Sequence, residues 1–388
     1  MNSTFEELIT NQNYQILFSV LLSLFITLRS IPVIINICNL RGLLESPLKR
    51  SSHKSPTPTF GGVAIFASTI IGYMFWNFGD EGIIMHRVIV GMVILFFLGI
   101  KDDLYALAPL KKLGSQMIAS AIVVVGSDLR ISHFFGVFGI HEIPYILSVF
   151  FTIFIFVALI NAFNLIDGID GLAGGQGMIA TGGFGLWFLL NNHWSLACLG
   201  LSMSASLLGF LRYNFSKTQK IFMGDTGSLL VGYISTILAV KFIHYNVNYS
   251  FAPHSSFVSA PVLAVVLLIV PVFDTLRVFT LRIIRGKSPF KADRIHLHHL
   301  IVDLGFSHIA ASSALALSTI ILTGGTYWLR HYLTNTQLIL VILALFGVYL
   351  LLGNWLEYKR FMKAKESAAA ESSKIKTDKE LLKSVSAN

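Results

Sequence analysis

Long apolar runs alternate with short polar connections along almost the whole chain. Runs near 20 residues match the hydrocarbon thickness of a bilayer when coiled as helices. The pattern predicts helices at 15–37, 59–78, 87–100, 114–126, 143–160, 176–190, 195–211, 227–243, 259–281, 309–329 and 336–356. Eleven crossings would put the termini on opposite sides. The expected fold is an all-α polytopic integral membrane protein, with one transmembrane domain over 1–356 and a mobile basic tail over 357–388.

Composition agrees. Of 388 residues, 54% are hydrophobic and only 13% charged, with a mean hydropathy of +0.70. A soluble domain carries roughly a quarter charged residues. Cys38 and Cys198 both lie in apolar runs without pairing or ligand spacing, so neither a disulfide framework nor a zinc site is expected. The N-terminal stretch MNSTFEELITNQNY is acidic, which argues against a cleavable signal peptide.

The net charge of +9 changes the picture through its distribution. Basic residues gather in alternate connections: Arg41, Lys49, Arg50 and Lys54; Lys101, Lys111 and Lys112; Arg212, Lys217 and Lys220; Arg282, Arg285, Lys287, Lys291 and Arg294. The intervening connections carry only Arg87 at an edge, Arg130 and Arg330. The positive-inside rule then predicts an outside N-terminus and a cytoplasmic C-terminus. Such charge fits anionic lipid or phosphate substrates rather than nucleic acid.

Every chemically loaded motif falls on that basic side. The run ending at Ile160 empties into Asn161-Ala-Phe-Asn164-Leu-Ile-Asp167-Gly-Ile-Asp170-Gly, where amides and carboxylates three apart form a helical stripe. Carboxylates at a membrane edge point to a hydrated divalent cation with phosphates, while a polar cap with a glycine turn is the plainer alternative. Asp102 and Asp103 come just after the apolar run that ends at Ile100; on a helix they diverge, so one acts while the other orients or caps. Asn214 precedes Ile221-Phe222-Met223-Gly224-Asp225-Thr226-Gly227-Ser228, where Asp225 either serves a metal-bridged phosphate or simply N-caps the next helix. Asp274 sits inside an apolar span, an expensive place for a carboxylate, with Arg277 three residues on as a local partner. Lys54, in a proline-stiffened approach to Gly61-Gly62, is either a phosphate contact or a membrane anchor. Arg294, His296, His298 and His299 form a cluster that a surface basic helix explains poorly. Oxygen-rich partners elsewhere favour magnesium over a transition metal.

As an ordered set, NxxNxxDGxDGL, MGDTGS, the Asp-Asp pair and HxHH resemble the polyprenyl-phosphate N-acetylhexosamine-1-phosphate transferase family, over about Arg41 to Phe306. The pattern is most similar to the branch that uses undecaprenyl phosphate and UDP-GlcNAc to begin O-antigen, common antigen or teichoic-acid linkage units. The phospho-MurNAc-pentapeptide translocases of peptidoglycan synthesis usually show an unbroken histidine run followed by an acid. Here the pattern is His296-Leu-His298-His299-Leu300, and the connection from Asn214 to Asp225 is one residue longer than that branch gives.

The resemblance implies a catalytic domain with cytoplasmic active-site loops at 41–58, 101–113, 161–175, 212–228 and 282–308, in a bacterial inner membrane. It implies Mg²⁺, with Mn²⁺ as a substitute, held by Asp225 with Asp102. Asp102, Asp103, Asp167, His296, His298 and His299 become the catalytic candidates. Lys54, Asn161, Asn164, Asp170, Asn214, Phe222, Asp274 and Arg294 become the substrate contacts, with Asp170 toward uracil and Phe222 as its stacking ring. Implied partners are UDP-GlcNAc, undecaprenyl phosphate and the bilayer, with a homodimer left open and GalNAc or a deoxy-aminosugar as competing donors. The competing class is a secondary transporter, which would show midplane carboxylates and internal repeats; no repeat is evident.

Overall fold

The computed structural model describes residues 10–45, 56–76, 78–248, 259–286 and 295–385. The helices are α1 (Gln12–Arg41), α2 (Gly61–Met74), α3 (Gly82–Leu104), α4 (Pro109–Val124), α5 (Tyr145–Ile166), α6 (Leu172–Leu190), α7 (Trp194–Asn214) and α8 (Gly224–Asn248). They continue as α9 (Ala260–Leu267), α10 (Ile269–Ile284), α11 (Leu297–Asp303), α12 (His308–Leu329) and α13 (Asn335–Val385). Two short antiparallel ribbons complete the described residues: β1 (Leu44–Glu45) with β2 (Thr57–Pro58), and β3 (His133–Val137) with β4 (Ile140–Glu142).

Each predicted apolar segment coincides with helix, yet eleven crossings are not supported by length and apolarity. Among the described residues, seven helices meet both conditions, or eight when α9 and α10 count as one bent span. α2 has 14 residues and α4 has 16, too short to cross unaided. α6 has 19 residues, but its glycines, Gln176 and Thr181 dilute its apolar content. The bend between α9 and α10 is 77° and falls at Leu268. Pro271 explains it, since its ring would collide with the carbonyl of Leu267 and it has no N–H to give.

The bundle is organised around α8, whose apolar window is wholly buried. α2, α3, α5 and α6 pack around it. α1 and α13, by contrast, expose apolar stripes, as lipid-facing helices must. Close approach to the start of α8 depends on glycine. A Cβ on Gly62 would lie 2.1 Å from the Gly227 nitrogen, and one on Gly99 would lie 2.3 Å from the Thr226 Cα. The connection before α2 then binds the one before α8: Gly61 N donates to Phe222 O (3.0 Å), Gly62 N to Met223 O (2.8 Å) and Phe222 N to Pro58 O (2.8 Å).

The far end of α8 is fixed by a buried ion pair, Lys241 Nζ to the Glu81 carboxylate at 2.7 Å, with Tyr245 donating to the same carboxylate. At the near end, Arg285 makes two bonds to Glu357 (3.0 and 2.9 Å) and Arg360 pairs with Asp303 (3.1 Å), so α13 grips α10 and α11. The basic C-terminal segment continues α13 as helix to Val385. It is rich in Ala, Glu and Lys and lacks Gly and Pro, a composition that favours helix.

Gly99→Ala should therefore destabilise the fold by about 1–3 kcal/mol through overpacking. A melting temperature in detergent equal to wild type would show that α3 and α8 do not meet this closely.

Candidate active site

The helix α5 runs past the end of its apolar run, so Asn161 and Asn164 ride on its last turns rather than in a loop. The Asp167–Asp170 connection follows, closed by Gly171 in the left-handed region (φ 78°). A capped helix start lies opposite. Asp103, at the end of α3, accepts from Asp225 N (2.7 Å), Thr226 N (3.1 Å) and Thr226 Oγ1 (2.6 Å). The two backbone N–H groups are orphan donors of α8, so Asp103 caps that helix. Gly224 (φ 70°) makes the turn; a Cβ there would sit 2.8 Å from both Asp103 carboxylate oxygens.

Asp102 points the other way. It accepts from Leu107 N (2.7 Å) and pairs with Lys112, whose ammonium also binds Asp225 Oδ2 at 2.8 Å. Burial opposes the charge on Lys112, but Asp225 and then Asp102 outweigh it and hold the ammonium pKa above its ordinary range. Asn164 donates its amide to Asp225 Oδ1 and to Ser228 Oγ (3.0 Å). Asn161 is held sideways by a reciprocal amide pair with Gln116, at 2.7 and 3.4 Å. The carboxylate oxygens of Asp102 and Asp225 converge on one positive charge, the Lys112 ammonium. Those are the preferences of a hard divalent cation, so the residues fit magnesium.

A second cluster flanks the Asp167–Asp170 turn. Asp170 binds Lys220 Nζ (2.6 Å) and His308 Nδ1 (2.9 Å), and the Lys220 ammonium lies 5.4 Å from the Phe222 ring centre. Burial pushes the Asp170 carboxyl up, but the His308 and Lys220 contacts outweigh it and hold the carboxyl below its usual range. Phe222 is half-buried there, with Asp170 tied to it through Lys220. Asn214 behaves differently from the substrate contact expected of it. Its buried amide accepts from Gly171 N (2.6 Å) and donates to Ile221 O (2.8 Å), so it straps the two loops together.

The histidines form the third cluster. Asp274 is buried at 1% exposure and accepts from Leu297 N (2.7 Å), with His296 Nδ1 at 3.1 Å and His298 Nδ1 at 2.9 Å from one oxygen. Tyr349 of α13 donates to its other oxygen at 3.4 Å. Asp274 thus holds both histidine rings and the start of α11. It is not paired locally with Arg277, whose guanidinium bonds Ile295 O. The three side chains lie close enough to hold a metal. Both rings, however, spend Nδ1 on the carboxylate, the arrangement that fixes tautomers and turns Nε2 outward. Outward here means toward the Asp167–Asp170 turn: a Cβ on Gly168 would meet His298 Nε2 at 2.7 Å and His299 Cε1 at 2.9 Å. Asp167 caps α5 beside that contact.

Structure therefore joins Asp102, Asp103, Asn161, Asn164, Asp167, Asp170, Asn214, Phe222, Asp225, Asp274, His296, His298 and His299 at one end of the bundle. Lys54 and Arg294 lie outside the described residues. Lys112, Gln116, Lys220, His308 and Tyr349 belong to the site without having been expected there.

Comparison with known proteins points the same way. The profile of glycosyl transferase family 4 matches residues 85–243. A Bacillus subtilis (strain 168) protein named a probable undecaprenyl-phosphate N-acetylglucosaminyl 1-phosphate transferase is 31% identical over 335 residues, 82% of this chain and 88% of its own. The undecaprenyl-phosphate alpha-N-acetylglucosaminyl 1-phosphate transferase of Salmonella typhi is 28% identical over 316 residues, 79% and 83% of the two chains. A decaprenyl-phosphate N-acetylglucosaminephosphotransferase of Mycolicibacterium smegmatis is 30% identical over 290 residues, 69% and 70% of the two chains.

Asn214→Ala leaves a buried N–H and a buried carbonyl without partners, so about 1–3 kcal/mol of stability should be lost for each. The check is a thermal melt; a loss below about 1 kcal/mol would mean that Asn214 is not the strap between the loops.

Proposed function

The chain belongs to glycosyl transferase family 4, and from that premise we propose that it transfers GlcNAc-1-phosphate from UDP-GlcNAc to undecaprenyl phosphate. The products are undecaprenyl-pyrophosphoryl-GlcNAc and UMP, the first committed lipid of a cell-envelope polysaccharide. The observation that carries the reading is the meeting of the Asp225 oxygen cluster with the Asp274-oriented histidines across Gly168. The names of the relatives support the acceptor and the transferred group. The five polar loops are assigned to the cytoplasmic face of a bacterial inner membrane, supported by their basic charge.

An ionised phosphate oxygen of the acceptor attacks the sugar-linked phosphorus. A new P–O bond forms there, and the bond to the bridging oxygen breaks, leaving UMP with that oxygen. One phosphoanhydride replaces another, so no ATP is needed and the reaction runs readily in reverse. The barrier comes from bringing two anions together. Asp225 and Asp102 would hold Mg²⁺, with Asn164 orienting Asp225, and the ion when bound would neutralise pyrophosphate charge. Lys112 supplies a second positive charge beside the same carboxylates. Asp170, Lys220 and Phe222 form the nucleobase side, with the ring available for stacking. The histidines are assigned to the sugar-phosphate, with Asp274 fixing the rings of His296 and His298 through Nδ1. Lys54 and Arg294 are assigned to phosphate charge by the family resemblance alone.

Purified protein with undecaprenyl phosphate, Mg²⁺ and UDP-GlcNAc should release UMP, and added UMP should reverse the exchange. No UMP with any UDP-aminosugar would remove this reading. Asp274→Asn should lower kcat by on the order of 100-fold or more, because an amide misplaces the imidazole protons. An unchanged kcat would detach Asp274 from the chemistry.

A further inference from the structure

The exposed stripe of α1 reads Leu17, Leu21, Phe25, Arg29, Val33, Ile37 and Leu40, stepping about one turn each time. Arg29 is the only charge in it, in the middle of a face whose other residues suit lipid. An arginine so placed is costly without a partner of opposite charge. A second arginine meets it from α7: Arg212 is exposed one turn beyond the exposed Leu208. Together with Leu28, Pro32 and Tyr213, these two line a groove of about 460 Å³, and none of the described residues that line it is acidic. Its floor is closed by Tyr213, whose hydroxyl donates to Leu28 O at 2.8 Å.

The groove faces away from the reaction loops. Asn214, which straps those loops, lies two residues past Arg212 and so roughly 200° around the helix. It nevertheless sits at the same level, since Asn214 is the last residue of α7. Two guanidiniums facing a lipid-side groove present the paired N–H donors that phosphate oxygens accept best. We propose that this groove between α1 and α7 is a binding site for the phosphodiester headgroup of an anionic bilayer phospholipid, separate from the site of the transfer reaction. Attraction of anionic lipid to cationic groups near the membrane surface supports the same occupant. The acyl chains would then lie along Phe25 and Leu21 on one side of the headgroup.

Native mass spectrometry of the detergent-purified chain, titrated separately with phosphatidylglycerol, phosphatidylcholine and undecaprenyl phosphate, tests the assignment. Wild type should retain one phosphatidylglycerol in preference to phosphatidylcholine. Arg29→Gln with Arg212→Gln should weaken that binding at least about tenfold, equivalent to about 1.4 kcal/mol, and each single change should weaken it partly. Arg330→Gln, on a surface arginine elsewhere, should leave it intact. UMP release by Arg29→Gln alone should stay near wild type, which separates this site from the reaction. Undiminished phosphatidylglycerol binding by the double variant would overturn the proposal. So would equal retention of the two phospholipids, or one-for-one displacement of phosphatidylglycerol by undecaprenyl phosphate.

Discussion

The site depends on one contact, the Asp103 carboxylate taking the first donors of α8. A cap of this kind contributes about 1 kcal/mol to helix stability, but its larger effect is positional. It brings the end of α3 against the start of α8, and so sets Asp102 and Asp225 side by side. Two carboxylates that close repel each other unless a cation intervenes. Lys112 provides that cation in the protein alone. The glycines at 62, 99 and 224 exist where this convergence leaves no room for a side chain.

Rigid support explains why the arrangement holds. α8 is buried along its apolar length, and its far end is anchored by Glu81 through Lys241 and Tyr245. A helix enclosed on all sides cannot slide or rotate without opening voids, so Asp225 is fixed from both ends. The histidine side is built differently. α11 is short, and it is held through Asp274 of the bent span, Tyr349 and the Arg360–Asp303 pair. The two halves meet at Gly168, where only a hydrogen separates backbone from imidazole.

Much of this was legible in the sequence because polar residues in apolar runs are costly and therefore informative. Asn164, Asp167, Asp225 and the HxHH set stood out for that reason, and adjacency alone implied that Asp102 and Asp103 would divide their roles. What the sequence hid is tertiary pairing. Lys112 and Lys220 look like positive-inside charges, and nothing local links them to Asp225 or Asp170. Gln116 carried a signal that went unread: it follows Lys112 by four residues, on one helical face. Asp274 and Arg277, three apart, invited a local pair, whereas the fold gives each a separate partner beyond α10. Apolar segment counting does not separate a full span from the shorter helices α2 and α4, which have 14 and 16 residues.

The proposed function requires the oxygens gathered at the start of α8 to bind a divalent cation. The direct measurement is Mn²⁺ titration of the purified protein followed by electron paramagnetic resonance, in wild type and in Asp225→Asn. One bound Mn²⁺ per chain in wild type, displaced by Mg²⁺ and lost in a variant that still melts cooperatively, is the predicted result. Equal Mn²⁺ binding in the two proteins would contradict the account and move the metal, if there is one, away from Asp225.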